Sequence, residues 1–263
     1  MTHSIGMAAQ DNTERLKFEN EVKRIVEAGN SAGITLRLLG SLAFHYHCPQ
    51  YGHLQAKMGR AYTDIDFAAY KSQAPQIRTW IPAALGYIED PEVFVNTEGQ
   101  RMLFEHPGNG LRVDIFVDKL DFCHAIFWKD RLEEDSPTIP LAEMVLEKLQ
   151  IVKINEKDII DMIMLLLEHP WGDRDDEAIN LPYIVNLCAN DWGFWRTVTM
   201  NLDKVKRLAQ SYATLSTDEK VKVTKQVNHA LSALNATPKS LGWKMRDKIG
   251  DKVKWYKDVA EVK

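Results

Sequence analysis

The sequence predicts an α+β protein in which a mixed β-sheet with flanking helices is followed by an all-helical C-terminal domain. Short apolar segments of strand length, bounded by turn residues, occur only in the first half of the chain. Beyond Pro137 and Pro140, apolar residues recur at helical spacing to the end of the chain. We therefore predict one domain over residues 13–136 and a helical domain over residues 137–263.

The individual elements follow from these patterns and from turn signals. Residues 1–12 are expected to be loose, and the charged and apolar spacing from Thr13 to about Gly29 predicts an amphipathic helix. Asn109-Gly110 indicates a hairpin turn. The predicted strands are 34–39, 64–70, 93–96, 102–105 and 111–117, with a helix kinked by Pro82 over 77–85. The predicted C-terminal helices are 141–152, 157–168, 181–189, 194–212, 218–234 and 239–257.

Composition places the chain among ordinary globular proteins. It has 263 residues, 45% of them hydrophobic, and a net charge of -4. No apolar run approaches the roughly 18 residues that a membrane span needs, so no membrane partner is expected. Three widely spaced cysteines, an odd number, favour a reducing compartment, and we expect a cytoplasmic protein.

Charge is distributed unevenly along the chain. From Lys204 onward there are fourteen basic and six acidic residues, a net charge of +8 in a chain whose total is -4. Such a region attracts anionic partners, and nucleic acid is one of them. The alternative interpretation is a solvated helical surface without a partner.

Asp64 and Asp66 stand two residues apart in a predicted strand. Their neighbours Ile65 and Phe67 are apolar, so the two carboxylates share the opposite face. Adjacent carboxylates repel each other unless a cation lies between them. A hard divalent ion such as Mg²⁺, which prefers oxygen ligands, fits this pair.

Asp114 lies in the middle of a third apolar strand. Val113, Ile115 and Val117 occupy one face of that strand, and Asp114 occupies the other. A carboxylate in such surroundings needs a charge partner. If this strand lies beside the strand of Asp64 and Asp66, three carboxylates converge and can hold two Mg²⁺ ions. Asp118, at the strand end, is expected to be a cap or a salt-bridge residue.

A Gly-Ser turn precedes these carboxylates. Gly40-Ser41 follows an apolar strand and opens a short helix, where backbone N–H groups can bind phosphate. Gly40-Ser41, Asp64-x-Asp66 and then Asp114 resemble the motifs of the nucleotidyltransferase superfamily of the DNA polymerase β type. The resemblance covers residues 34–118.

The helical half contains a second motif. The segment 141–149 contains Glu147-Lys148, and Lys157-Asp158-x-x-Asp161 follows. This arrangement is similar to that of abortive-infection and related toxin-type nucleotidyltransferases. Asp158 and Asp161 share one helix face, so a like-charge pair is expected there unless a cation, for which Lys148 is the candidate, lies between them. Asp158 at the start of a helix also suits the helix dipole without any further role.

The resemblance implies a function and a set of roles. The protein would be an enzyme that moves a nucleoside monophosphate from a nucleoside triphosphate (NTP), ATP for example, to an acceptor and releases pyrophosphate. Mg²⁺ would be the cofactor, with two ions at the site. The implied metal and catalytic residues are Asp64, Asp66 and Asp114, and the implied nucleotide-binding residues are Gly40, Ser41, Lys148 and Asp158.

The acceptor is left open by the sequence. RNA, such as a tRNA end, is the first candidate because of the basic C-terminal helices, and the toxin-type relatives imply an antitoxin partner. The alternatives are a small hydroxylated molecule such as an aminoglycoside, a protein side chain, or a silent nucleotide-binding regulatory module. The gap from Ser41 to Asp64 is longer than the connection common in the family because residues 46–60 are inserted, and Arg60 is expected to form a phosphate contact or a rim salt bridge.

Overall fold

The computed structural model describes residues 2–57 and 62–259, and the side chains of 15–57 and 62–259. Its first element is the long helix α1, Thr2–Ser31, so the expectation of a loose segment was wrong for residues 2–12, and Met1 lies outside the described residues. The helix buries one face, on which Phe18, Val22, Ile25 and Val26 recur at helical spacing. Arg60 lies outside the described residues, as does the end of the predicted 46–60 segment.

The elements of the sheet region follow in chain order. They are β1 Arg37–Leu39, α2 Gly40–His47, α3 His53–Lys57, β2 Ile65–Ala69, α4 Ala74–Trp80, β3 Ile88–Asp90, α5 Pro91–Asn96, β4 Arg101–Glu105 and β5 Arg112–Val117. The strands form a five-stranded sheet in the order β1-β2-β5-β4-β3. β2 and β5 are parallel and the other pairs are antiparallel, which confirms the predicted mixed sheet.

One face of this sheet is completely buried. On β2, β4 and β5 every second residue is apolar and lies on the same face, as the strand period of two requires. The side chains of the buried face are at most 1% exposed: Ile65, Phe67, Ala69, Met102, Phe104, Val113, Ile115 and Val117. The opposite face, called the polar face below, carries the polar residues of the same strands together with Ala68, Leu103 and Phe116.

Two local predictions in this region differ from the structure. Residues 93–96 belong to helix α5 and are not a strand, because Asp90 caps the helix by accepting from the Glu92 N–H (3.0 Å) and Pro91 occupies its first turn. These start signals prevail over the strand preference of Val93 and Val95. Strand β3 was not predicted. The kink at Pro82 is confirmed, since α4 ends in a wider turn over Ile81–Leu85.

The remaining elements are mainly helical, as predicted. They are β6 Lys119–Asp121, β7 Ala125–Phe127, α6 Leu141–Leu149, α7 Glu156–Glu168, β8 Trp171–Gly172, β9 Ile179–Asn180, α8 Leu181–Asn190, α9 Trp192–Ser211, α10 Thr217–Ala236 and α11 Leu241–Asp247. Every residue of α6 is buried, and so are ten consecutive residues of α7 from Asp158. The predicted helix over 239–257 was too long. α11 stops at Asp247, and Gly250 takes a positive φ of 58° that an α-helix cannot continue.

The chain divides into two units, each with its own interior. The first contains α1, α2, the five-stranded sheet, α4, α5 and Phe127–Ile139. The second contains α3, Asp121–Ile126 and the helices from α6 onward. The domains predicted over 13–136 and 137–263 stay a prediction. No helix in the described part of the chain has the length and apolar character needed to cross a membrane.

Candidate functional site

The candidate site lies on the polar face of the five-stranded sheet. Asp66 on β2 and Asp114 on β5 are register partners in the parallel pair. Asp64 directly precedes β2 and has the same parity as Asp66, so it belongs to the same face. The structure thus brings together the strands of all three predicted carboxylates.

The apolar neighbours of these carboxylates fix their direction. Ile65 and Phe67 on β2, and Val113 and Ile115 on β5, are completely buried on the opposite face. A shift of either strand by one residue would place charged groups in that interior. The alternation of apolar and acidic residues therefore positions the carboxylates without any ligand.

Gly40 brings the Gly-Ser turn against this face. Leu39, the last residue of β1, pairs with Asp66, and Gly40 follows with a positive φ of 72°. A Cβ atom at Gly40 would lie 2.5 Å from Asp66 Oδ2. Glycine is required here both by the backbone conformation and by the close approach of the carboxylate.

Helix α2 begins at this turn. Leu42, Ala43 and Phe44 are buried and anchor the helix, while Gly40 and Ser41 are half-buried. The first N–H groups of a helix have no partner within the helix and, with the helix dipole, favour an anion. The predicted phosphate-binding turn and the predicted carboxylates are therefore adjacent.

Arg101 is a member of the site that the sequence analysis missed. Its Nε atom donates to both oxygens of Asp114, at 2.8 and 2.9 Å, and Nη2 also donates to Oδ2. The guanidinium carbon lies 5.4 Å from the centre of the Phe116 ring. Two signals point to it: a buried Asp needs a charge partner, and Arg101 directly precedes the predicted hairpin strand 102–105.

The charges of these groups influence one another. Burial raises the pKa of Asp114, the negative charge of Asp64 acts in the same direction, and the hydrogen bonds from Arg101 oppose both. The hydrogen bonds to Asp114 raise the pKa of Arg101, to which Asp66 and Asp64 also contribute. The guanidinium is charged at any ordinary pH, so we treat Arg101 and Asp114 as an ion pair.

The three carboxylates do not fit a metal ion equally well. Asp64 and Asp66 are half-buried, and carboxylate oxygens are the ligands that Mg²⁺ prefers. Asp114 is 3% exposed and both its oxygens accept from Arg101, so a metal ion at Asp114 would have to share them with the guanidinium. Within residues 2–57 and 62–259 there is no group of three His, Cys, Asp or Glu side chains that could hold a metal ion.

Lys148 and Asp158, the two predicted nucleotide-binding residues of the helical half, lie together in the interior of the second unit. The Lys148 ammonium is 3.0 Å from Asp158 Oδ1, 3.3 Å from Asp161 Oδ2 and 3.6 Å from Glu147 Oε1. Gln55 of α3 donates to Asp161 Oδ1 at 2.7 Å. The Lys148 side chain is 8% exposed.

This cluster confirms that Lys148 lies between the like charges of Asp158 and Asp161. Asn155 caps α7 by accepting from the Asp158 N–H at 2.9 Å, which agrees with an acid in the first helical turn. The contact of Lys148 and Asp158 with a nucleotide stays a prediction. Asp118, which was expected to be a cap or a salt-bridge residue, accepts a hydrogen bond from the Lys71 N–H at 2.8 Å.

Comparison with known proteins adds little to this geometry. No protein-family model matches the chain. No curated protein matches it either. One solved structure, an antigenic nucleotidyltransferase-like protein from Paracoccidioides brasiliensis, is similar over 86% of this chain and 95% of its own, with 13% identity and a TM-score of 0.40. At this level of similarity, we argue function from the geometry alone.

Proposed function

We propose that the protein is a nucleotidyltransferase that binds an NTP at the polar face of the sheet. The supporting observation is the close approach of the Asp66 carboxylate to the Gly40 backbone, beside the Asp66–Asp114 register pair. This contact joins a turn suited to phosphate with carboxylates suited to the cation that accompanies phosphate. Either feature alone is common in proteins, but the two together match a nucleoside triphosphate with its metal ion.

Each residue has a distinct part in this proposal. The N–H groups at the start of α2 and the Ser41 hydroxyl bind the β- and γ-phosphates. Asp64 and Asp66 hold the Mg²⁺ ion, and the Thr63 hydroxyl orients Asp64 by donating to Oδ1 at 2.9 Å. Bound Mg²⁺ would supply charge neutralisation for the phosphates. The negative field of Asp64 and Asp66 would repel a triphosphate that arrives without its cation.

The proposed reaction joins the α-phosphorus to an acceptor oxygen. The bond from the α-phosphorus to its bridging oxygen breaks, pyrophosphate leaves with that electron pair, and the acceptor hydroxyl loses its proton to solvent. We propose RNA as the acceptor because the region from Lys204 onward carries a net charge of +8. A toxin-like role with an antitoxin partner belongs to the same proposal.

The test is transfer of label from α-labelled NTPs to total RNA in the presence of Mg²⁺. We expect Asp64→Asn and Asp66→Asn each to lower the rate at least about 100-fold, since loss of one electrostatic contact at a reacting centre commonly costs that much. Glu105→Gln is the matched control, because it removes one exposed carboxylate from the same sheet. Undiminished transfer in both Asp variants would contradict the assignment, and label in protein or in a small hydroxylated molecule would change the acceptor.

A second candidate is a nucleotide-binding module that transfers nothing. The ion pair of Arg101 with Asp114 favours it, because the third carboxylate is already engaged. Calorimetric titration with each NTP, with and without Mg²⁺, separates the two candidates when combined with the transfer assay. Metal-dependent binding without transfer of label identifies the module, and binding with transfer identifies the enzyme.

A further inference from the structure

The segment 241–253 presents three large apolar side chains to solvent, called the apolar row below. The segment consists of helix α11 and the turns that follow it, which include Gly250–Lys252. Leu241 is 80% exposed, Met245 69% and Ile249 44%. These residues recur every four positions, which places them on one side of the segment. Single exposed apolar residues are ordinary, whereas a group of them usually marks an interaction surface.

The opposite side of α11 is bonded to the protein. Trp243 is buried, and its ring centre lies 5.0 Å from that of Trp195 at an interplanar angle of 74°. The Arg246 guanidinium carbon lies 4.5 Å from the centre of the Trp192 ring, and the Trp192 indole N–H donates to Asp247 at 2.6 Å. These contacts fix the rotation of α11 about its axis, and they leave the apolar row on the outer side.

Three lysines stand beside the apolar row. Lys244, Lys248 and Lys252 are exposed and recur at the same spacing of four residues. Their ammonium groups form no hydrogen bond or ion pair with another residue of the described part of the chain. The two acidic residues of the segment, Asp247 and Asp251, are each bonded to a side chain of α9. The outer surface of the segment therefore combines apolar side chains with positive charge.

This combination fits an anionic lipid surface. Lysine ammonium groups can bind lipid headgroups while their methylene stems lie along apolar surface, and apolar side chains between them can enter the boundary of the acyl chains. Nucleic acid phosphates match the charge of the lysines but leave the apolar row uncovered. The high exposure of Leu241 and Met245 shows that they project from the surface, which suits the flat boundary of a bilayer better than the ridge of a partner helix.

We propose that the segment 241–253 docks the protein on an anionic membrane surface, with the apolar row inserted among the headgroups and the three lysines bound to their anionic groups. A segment that lies in the interface does not need the length of a membrane span. The expectation of no membrane partner was based on span length alone, and the proposal departs from it. The proposal goes beyond the nucleotidyltransferase function and does not depend on the nucleotide site.

The test is co-sedimentation of the full chain with vesicles at about 0.15 M salt. One preparation contains phosphatidylcholine alone, and the other contains phosphatidylcholine and phosphatidylserine in equal parts. We expect binding to the anionic vesicles and at least about tenfold weaker binding to the neutral ones. Lys244→Gln, Lys248→Gln and Lys252→Gln should each lower binding to the anionic vesicles about fivefold, the contribution of one lysine near such a surface.

The double variant Leu241→Ser with Met245→Ser tests the apolar row. We expect its binding to anionic vesicles to fall at least about tenfold, because two apolar side chains no longer leave water. The matched control is Ile88→Ser with Val95→Ser, which removes side chains of similar exposure, 62% and 70%, that have acidic and no basic residues near them in the sequence. This control should bind the vesicles as the wild type does, and circular dichroism verifies the fold of each variant.

Several results would overturn the proposal. They are a wild type that does not bind anionic vesicles, equal binding to the two preparations, and unchanged binding of the Leu241 and Met245 double variant. Filter binding of RNA by this variant decides the alternative partner. We expect RNA affinity equal to that of the wild type, and a tenfold loss of it would assign the apolar row to nucleic acid and overturn the lipid assignment.

The outcomes also separate this inference from the proposed function. Vesicle binding by a wild type that transfers no label would support the inference and reject the transfer. Transfer of label without vesicle binding would reject the inference and leave the nucleotidyltransferase proposal standing.

Discussion

At the scale of single residues, two separate constraints at Gly40 require glycine, the backbone conformation and the proximity of the Asp66 carboxylate. Its positive φ of 72° and the Asp66 oxygen, which would lie 2.5 Å from a Cβ atom at this position, act independently on any replacement. Gly33, at the turn before β1, has nearly the same φ of 69° but no atom within 4 Å of such a Cβ. Substitution of Gly33 therefore tests backbone strain alone, whereas substitution of Gly40 tests backbone strain together with the steric contact to Asp66.

We expect Gly40→Ala and Gly33→Ala to differ in nucleotide binding more than in stability. Both substitutions place alanine in the left-handed region, at a cost of roughly 1–2 kcal/mol. Only Gly40→Ala also displaces the Asp66 carboxylate, and we expect it to weaken NTP binding at least tenfold, about 1.4 kcal/mol. Urea unfolding and calorimetric NTP titration measure the two effects. Equal NTP affinity of the two variants would show that the turn does not bind the phosphates.

The residue pattern of the sequence identified the three carboxylates of the site but not Arg101, which binds one of them. Asp64, Asp66 and Asp114 were recognisable because each interrupts an apolar strand. Arg101 was not recognised, because its contact depends on the register of β4 against β5, and six loop residues between these strands allow several registers. Lys148 was recognised as the cation between Asp158 and Asp161, since helical spacing alone brings that acid pair together.

At the scale of elements, helices α6 and α7 are joined by charge within an apolar interior. Lys148 on α6 approaches Asp158 and Asp161 on α7, while its sequence neighbour Glu147 adds a third carboxylate. These side chains are between 0 and 11% exposed. Removal of the Lys148 ammonium would take its positive charge away from these buried carboxylates, which is far more costly than loss of a surface ion pair.

We expect Lys148→Met to lower the free energy of unfolding by about 3–5 kcal/mol. Lys157→Met on α7 is the matched control, because Lys157 is exposed, and its effect should stay within about 0.5 kcal/mol. Chemical unfolding measures both, and NTP titration of the same proteins shows whether Lys148 also binds nucleotide. Unchanged stability of Lys148→Met with loss of NTP affinity would mean that its role is in binding alone.

The long helices α7 and α9 were predicted within two residues of their bounds, whereas the short elements β3 and α5 were missed or misassigned. The buried face of α9 repeats over several turns, and the buried segment of α7 is longer than a typical strand, so periodicity and length identify these two helices within a few residues. β3 has three residues and α5 six, too few for any period to show. In α5 the cap residue Asp90 and the following Pro91 decided the structure, and capping signals were the information that the strand prediction overlooked.

At the scale of the whole molecule, the basic side chains of the positively charged C-terminal region fall into two groups, those bonded within the protein and those exposed to solvent. Several basic groups of the region beyond Lys204 are engaged within the protein: Lys204 donates to the Val152 carbonyl, Lys222 to the Leu167 carbonyl and Lys257 to Asp121. The ammonium groups of these three lysines therefore stabilise the fold through hydrogen bonds within the protein. The exposed lysines without a side-chain hydrogen bond or ion pair to another described residue include Lys225, Lys244, Lys248 and Lys252.

RNA binding, if it follows the proposal, should depend on these four exposed lysines. Contact of four lysines with single-stranded RNA predicts a slope of about -3 when log affinity is plotted against log salt concentration, since each phosphate contributes roughly -0.7. Filter binding at several salt concentrations measures the slope. Each Lys→Gln substitution among the four should reduce its magnitude by about 0.7, whereas Lys23→Gln on α1, also exposed, is the control and should leave it unchanged. A slope near zero in the wild type would exclude an RNA acceptor at this region and direct the transfer assay to small hydroxylated molecules.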